Sequence, residues 1–449
     1  MDREWKLALP APVDRLLRRL CDAGYRAYAV GGCVRDSLLG KAPDDWDVTT
    51  DALPEQIHQA LTGMTVLDTG LKHGTVTAVT ENMRVEITTF RVDGDYSDHR
   101  RPDSVRFTRS LREDLARRDL TVNAMAYRPD EGLQDPFGGR DDLENGLLRA
   151  VGDPAARFEE DALRILRTLR FASRLGFRVE ETTAAALSEK RELLRAVAPE
   201  RIQDELCKLL TGRDAARVLR EKREVFAVVL PELAPMFDFD QQNPHHIYDV
   251  WEHTLHAVDA CEPELLLRLT MLLHDCAKPL TFTVDFRGDG HFYGHAALSA
   301  RLTRQALERL RFDNETVFRV TRLVSLHDSD VLNTEKSLLR WLRKIGEEDL
   351  RLLLKIKMAD NLAQSPHYSR MEALRETQRA LETLVSREPC FDRSRLAVKG
   401  GDLTALGLRG AEIGAALDGM VEAVIAGTLP NEKEALLDWC RKEMPPRLK

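Results

Sequence analysis

The hydrophobic period of this chain changes near residue 153, and that change constrains its fold more than any other feature. From residue 25 to about 150 the apolar residues fall in short runs, YRAYAV, TVTAVT, RVEITTF and SVRFT, split by Gly, Asp and Pro. Val, Ile, Thr and aromatics alternate in them as half-buried strands require. After Asp153, segments such as ALRILRTLRFASRLGF and LLRLTMLLHDCAK repeat apolar residues every three or four positions, the period of packed helices. The expected class is α+β: a mixed sheet-and-helix head followed by an all-α body. A length of 449 residues allows two to four domains. Gly152-Asp153-Pro154 is the expected head-to-body junction. The proline-rich stretch 231–244 separates one helical unit from the next, and 282–294 reads as a Gly/Asp-rich loop.

The head carries its chemistry in AYAVGGCVRDSLLGKAPDDWDVTTD. A short strand runs into Gly31-Gly32 and then a helix. Two glycines let backbone N–H groups approach a ligand, and a helix N-terminus favours an anion. Arg35 in the first turn can add charge-assisted contacts to phosphate. Ten residues on, Asp45 and Asp47 alternate on a strand and project to one side, roughly 6–7 Å apart at the backbone. Hard carboxylate oxygens at that spacing suit Mg²⁺ together with substrate phosphates. Glu86, on RVEIT, is a candidate third carboxylate, and equally a solvated strand residue.

GGCVRD, DDWD, RRDLTVNAMAY (117–127) and EEDALRILRTLRFASRLGF (159–177) occur in that order. Together they strongly resemble the class II tRNA nucleotidyltransferase and bacterial poly(A) polymerase family. The resemblance implies a polymerase-β-like head that extends an RNA 3′ end without a nucleic-acid template. By it, Gly32, Arg35 and Arg118 contact the incoming nucleotide, and Asp45 and Asp47 hold the metal. Glu160, Asp161, Arg164, Arg167 and Arg170 fall in the block that reads the base. On one helix 160, 164 and 167 would share a face. A carboxylate accepts from an exocyclic amine and an Arg fork donates, so such a face suits C or A and rejects U and G. DGDYSDHRRPD (93–103) resembles the flexible loop of the CCA-adding branch. The implied partners are tRNA, CTP and ATP. An A-only or poly(A)-adding enzyme, and a non-catalytic nucleotide- or RNA-binding protein, remain open alternatives.

Of 12 His, eight lie between 245 and 327. Their order, His253, His274-Asp275, His295, His327 and then Asp360, resembles the HD phosphohydrolase superfamily. On that resemblance His253, His274, Asp275 and Asp360 ligate a metal, and His295 and His327 serve a second one. Asp328 competes with Asp360. Imidazole with carboxylate suits a divalent transition metal such as Mn, Fe, Co, Ni or Zn. Lys278 could contact phosphate. The implied substrates are 2′,3′-cyclic phosphates, 2′-nucleotides or phosphomonoesters. His245, His246 and His256 read as structural or exposed. Residues 396–439 resemble the tRNA-binding tail of CCA-adding enzymes. The expected division is a head at 1–150, a neck at 151–240, an HD unit at 241–365 and a tail at 366–449.

The seven Cys are scattered with no CxxC pair, as expected of a thiol-reduced cytoplasmic protein. The N-terminus lacks an apolar leader, and no run nears the roughly 18–20 apolar residues of a membrane span. A net charge of −8 argues against a polyanion partner when taken alone. Arg is nevertheless concentrated where phosphate is expected, in HRRPDSVRFTRSLREDLARRD and LRILRTLRFASR.

Overall fold

The computed structural model of the chain describes residues 6–80, 83–94 and 104–444. Most of the loop expected at 93–103 lies outside the described residues. The fold is α+β, with a sheet-and-helix head and a helical remainder. The chain divides into two compact units, 1–234 with 309–311, and 235–308 with 312–449. The boundary falls inside the proline-rich stretch 231–244.

The first unit opens with α1 (Ala11–Asp22), which buries Val13, Leu16, Leu17 and Leu20 along one stripe. Then follow β1 (Ala27–Val30), α2 (Gly32–Leu38), β2 (Trp46–Thr50), α3 (Pro54–Ala60), β3 (Thr65–Gly70), β4 (Thr75–Val79) and β5 (Arg84–Thr89). A ribbon of β6 (Arg91–Asp93) and β7 (Val105–Phe107) leads to α4 (Leu111–Ala116), β8 (Ala126–Arg128), β9 (Gly132–Gln134) and α5 (Gly139–Glu144). The main sheet is ordered β3-β4-β5-β2-β1-β8-β9. β2 and β5 run parallel, and the other neighbours are antiparallel. All four residues of β1 are buried. Tyr28 and Val30 pack with Phe90, Leu115, Ala124, Ala126 and Val151 into a core under the sheet.

The helical part of this unit starts after β10 (Leu147–Leu148), which pairs in parallel with β11 (Arg178–Val179). It comprises α6 (Pro154–Glu160), α7 (Leu163–Leu175), α8 (Glu181–Glu189), α9 (Pro199–Leu210), α10 (Ala215–Glu221) and α11 (Arg223–Val229). Asp153 caps α6 by accepting from Ala155 N. α7 buries Ile165, Leu166, Leu169 and Ala172, and Gly176 ends it in the left-handed region, which glycine enters without a steric penalty.

The second unit contains α12 (Val250–Ala260), α13 (Leu265–Leu273) and α14 (Lys278–Thr281). A small hairpin of β12 (Thr283–Val284) and β13 (Gly290–His291) stands where a loop was expected. Then come α15 (His295–Arg309), α16 (Asn314–Leu326), α17 (Glu335–Leu362), α18 (Met371–Val385), α19 (Gly400–Ala405), α20 (Ala411–Ala426) and α21 (Lys433–Glu443). Among the described residues no helix is long and apolar enough to cross a membrane, and the seven cysteines are free thiols.

One buried carboxylate ties the head together. Asp114 is fully buried on α4. It accepts from Thr49 Oγ1 of β2 at 3.0 Å, from Arg91 N at 3.3 Å, and from Arg117 Nε and Nη2 at 3.0 and 2.9 Å. Removing one member of such a set leaves donors unpaired in the core, at about 3 kcal/mol. Asp114→Ala is therefore expected to lower the thermal midpoint clearly, with Asp114→Asn intermediate, as read by circular dichroism.

Candidate functional site

In the first unit, the turn after β1 and the approach to β2 open a cavity of about 570 Å³. Gly32, Arg35, Asp45, Asp47, Arg118, Arg167 and Arg170 all line it. Gly31 enters the left-handed region at φ 84°, and a Cβ there would stand 2.7 Å from Arg118 Nη1. That close approach is a physical reason for the first glycine of the pair. Asp47 lies on β2, with Asp45 just before it and Trp46 buried on the opposite face. Asp47 is in register with Glu86 on β5. Burial, Asp45 and Glu86 together push Asp47 up to about 6, against the pull of Arg118. Three crowded carboxylates with oxygen donors fit a hard divalent cation. Glu86 stands beside Asp47 but is not part of the cavity lining.

The arginines are individually braced. Arg35 spends its fork on Asp36, at 2.9 and 2.8 Å, and on Asn123 Oδ1 at 2.6 Å, with Phe171 4.8 Å from its guanidinium carbon. It therefore shapes the wall more than it offers free donors. Arg167 gives Nε and Nη2 to Asp119 Oδ2 at 2.9 and 2.7 Å. Burial opposes the charge of Asp119, but Arg167 and Asn123 outweigh it and hold the carboxyl well below its usual range.

The base-reading block is arranged differently from the expectation of one continuous helix. α6 ends at Glu160, Asp161 is extended at φ −136°, and α7 starts at Leu163. Glu160 and Arg164 still meet at 3.0 Å across the break. Arg164 Nη2 also donates to the Arg117 carbonyl at 2.9 Å. Asp161 is held by Arg201 of α9 at 3.1 Å. Glu160, Asp161 and Arg164 thus lie outside the cavity lining, which Arg167 and Arg170 do join. α9 was not anticipated as part of this site. Arg201 holds Asp161, buried Glu205 meets Arg170 at 3.0 Å, and Lys208 lines the cavity. Their spacing of four and three residues, one helix face, is the signal that could have revealed them. Lys41 and Arg174 also line the cavity and had no such signal.

The second unit gathers every histidine expected as a ligand. His253 lies on α12, His274-Asp275 in the turn ending α13, His295 at the start of α15, His327 just after α16, and Asp360 near the end of α17. The pair His274-Asp275 was expected on a helix. The turn is what lets both neighbours face one point. His253, His274, Asp275 and Asp360 offer ligand atoms within 4.8 Å of one another, and so do Asp275, His295 and His327. Asp275 joins the two groups: Oδ2 lies 3.5 Å from His253 Nε2 and 3.1 Å from His274 Nε2, and Oδ1 lies 3.4 Å from His295 Nε2 and 3.6 Å from His327 Nε2. Asp360 Oδ1 meets His253 at 2.9 Å and His274 at 3.4 Å. Asp328 lines the adjoining cavity but belongs to neither group.

Each of the four imidazoles turns Nδ1 to a backbone carbonyl: His253 to Ala363 at 3.1 Å, His274 to Met271 at 2.7 Å, His295 to Phe292 at 2.8 Å and His327 to Val324 at 2.7 Å. A carbonyl only accepts, so Nδ1 carries a hydrogen and Nε2 is the nitrogen turned toward the carboxylates. His295 and His327 then face each other Nε2 to Nε2 at 3.2 Å. His274 Nε2 and both Asp275 oxygens are buried with no hydrogen-bond partner, although Lys278 Nζ lies 2.8 Å from Asp275. Converging imidazole nitrogens and orphaned buried oxygens fit divalent cations. His246, expected to be structural or exposed, also lines the cavity, and burial pushes it down to about 3.

The sheet, the glycine turn and the paired carboxylates define a nucleotidyltransferase head. Residues 27–149 match the family described as "Poly A polymerase head domain", residues 176–237 "Probable RNA and SrmB- binding site of polymerase A", and residues 294–440 "tRNA nucleotidyltransferase domain 2 putative". The CCA-adding enzyme of Limosilactobacillus fermentum is 35% identical over 433 residues, 96% of each chain. That of Bacillus subtilis is 33% identical over 443 residues, 98% of this chain and 99% of its own. The chain belongs to the CCA-adding enzyme family. The crystal structure of the Bacillus stearothermophilus CCA-adding enzyme in complex with CTP superposes with a TM-score of 0.72 at 29% identity, covering 97% of this chain and 98% of that one. The Thermotoga maritima CCA-adding enzyme complexed with tRNA shares the fold, with a TM-score of 0.59 at 19% identity over 97% and 96% of the two chains.

The raised Asp47 makes a pH prediction. Its folded value lies above the ordinary carboxylate value of 3.8. Its contribution to stability is therefore complete below pH about 4 and lost as the pH rises through about 6. Asp47→Asn should stabilise the metal-free chain at pH 7 by about 1–2 kcal/mol. The gain should shrink as the pH falls from 7 to 5, as read from thermal midpoints in chelator.

Proposed function

We propose that the first unit adds C and A to the 3′ end of tRNA from CTP and ATP, releasing pyrophosphate. The reading rests on one observation above all: Asp45 and Asp47 line an arginine-walled cavity together with Arg118. The kinship to CCA-adding enzymes over nearly the whole chain supports it. Functionally the chain then has a head at 1–150, a neck at 151–240, a hydrolase unit at 241–365 and an RNA-binding tail at 366–449, working in the cytoplasm.

Asp45 and Asp47 would hold Mg²⁺, which when bound supplies charge neutralisation at the reacting phosphate. The RNA 3′-oxygen bonds to the α-phosphorus, and the bond from that phosphorus to the leaving pyrophosphate breaks. Arg118 is held in place by its close fit under Gly31 and faces the triphosphate without reorganisation. Arg167 and Arg170 are fixed by Asp119 and Glu205 and set the depth of the cavity. The Asp161 carboxylate, outside the cavity lining and held by Arg201, would have to turn inward to accept from the exocyclic amine of C or A, with Arg164 donating to the ring. The base then competes with Arg201 for Asp161.

The test is addition to tRNA lacking CCA, with CTP and ATP supplied singly and together. Wild type should take up C from CTP alone and complete CCA with both. Asp45→Ala should reduce addition at least about a thousandfold, in line with the loss of an essential electrostatic group. Retained addition by that variant would sink the assignment. Incorporation of A but never C would establish the A-adding alternative.

For the second unit we propose metal-dependent phosphoester hydrolysis by His253, His274, Asp275 and Asp360, with His295 and His327 at a second cation. The set of four Nε2 atoms around the Asp275 carboxylate supports it, and the donors suit Mn, Fe, Co, Ni or Zn. Lys278 lines the same cavity and can meet a phosphate oxygen. Asp275→Ala should leave CCA addition intact, abolish phosphatase and phosphodiesterase turnover, and lower bound transition metal in elemental analysis. An unchanged metal content would refute the site.

A further inference from the structure

The metal-ligand cluster of the second unit forms one side of a cavity of about 310 Å³ whose rim is aromatic. Tyr293 lines this cavity and is nevertheless 76% exposed. Its ring lies nearly parallel to that of His291, with centroids 5.3 Å apart and planes 13° apart. His291 lines the same cavity.

His291 and the hairpin that carries it are anchored. His291 Nε2 meets Asp285 Oδ2 at 3.1 Å across the β12–β13 hairpin. Gly290 N donates to the Gln242 carbonyl at 2.7 Å, and Asn243 Nδ2 donates to the Gly290 carbonyl at 2.8 Å. A Cβ on Gly290 would stand 2.2 Å from the Gln241 carbonyl oxygen, so the hairpin is pressed against that segment. The carbonyl of Phe292, next to Tyr293, fixes the tautomer of His295. The aromatic rim and the ligand cluster are therefore one connected piece of backbone.

We propose that Tyr293, backed by His291, is a platform on which the base next to the scissile phosphate stacks. The second unit would then select nucleotide esters over base-free ones. This rests on the hydrolytic reading of the cluster. The chemistry divides across the cavity. Carboxylate, imidazole and Lys278 face a phosphate, and an open aromatic face at the rim suits a planar base, which stacks whatever its identity. For a cyclic phosphate, the oxygen of water bonds to phosphorus and one ring P–O bond breaks. The sugar oxygen so released takes the proton, leaving a phosphomonoester. Tyr293 is a positioning residue and has no part in this exchange.

The experiment compares wild type, Tyr293→Ala and Tyr293→Phe on three cyclic phosphates: adenosine 2′,3′-cyclic phosphate, an oligoribonucleotide with the same terminus, and base-free glycerol 1,2-cyclic phosphate. Tyr293→Ala should lower kcat/KM about tenfold on the base-bearing esters, in keeping with the loss of one stacked base, and leave the glycerol ester unchanged. Tyr293→Phe should restore the nucleotide rate. A loss on the free nucleotide alone assigns the platform to mononucleotides, and a loss on both assigns it to RNA ends as well. An equal loss on all three esters, or no loss on any, overturns the proposal. A second readout needs no turnover. The indole emission added by Tyr293→Trp should be quenched by adenosine monophosphate and not by ribose 5-phosphate, with wild type as the reference for binding in the first unit. Absence of quenching overturns the platform. If metal-loaded wild type cleaves none of the esters, the hydrolytic reading falls, and the quenching still decides the platform.

Discussion

Two carboxylates, buried Asp114 and half-buried Asp119, clamp the segment that carries Arg118. Asp114 fastens its start to β2 through Thr49 and to the chain after β5 through Arg91 N. Asp119 fastens its end to α7 through a two-pronged contact with Arg167. Between them Arg118 is half-buried, lines the cavity and lies under Gly31. Charged groups in a low-dielectric wall are costly unless each is paired. The pairing here therefore fixes geometry as much as it stabilises. The sheet supplies the carboxylates Asp45 and Asp47, α7 supplies the arginines, and the clamped segment sets the distance between them.

The second unit solves a similar problem with imidazole rings. Four imidazoles are each oriented by a carbonyl, three of them by one lying three residues back in the chain. A local turn thus decides which nitrogen is free, and the packing of helices only has to bring the free nitrogens together. Asp275 is the shared point, one oxygen for each group. The aromatic rim is tied to the same backbone through Phe292, which couples the recognition proposed for Tyr293 to the placement of His295.

Much of this was legible in the order of residue types. The strand-to-helix texture predicts the α+β division, and GGCVRD followed by DDWD predicts a glycine turn and paired carboxylates on one side of a strand. The histidine order predicts the second cluster, since few other patterns need so many imidazoles in so short a stretch. The helix break at Asp161 was not legible, because the apolar period runs through it without a Gly or Pro. Nor was the engagement of Arg35 by Asp36 and Asn123, or of Asp161 by Arg201. Those depend on which of many charged neighbours packs closest. The hairpin at 283–291 was hidden because its strands are two residues long, too short to show alternation.

The sequence by itself determined the chemical inventory: hard carboxylates two residues apart, an arginine-rich helix, and imidazoles with a carboxylate beside one of them. Periodicity is local information, so it assigns residues to strand or helix and to a face. Only the tertiary structure decided which members meet, since Asp119 and Arg167 are 48 residues apart in the chain and His253 and Asp360 are 107 apart. Those distances close only when the apolar faces of the intervening elements pack, and that packing alone places donor and acceptor within reach.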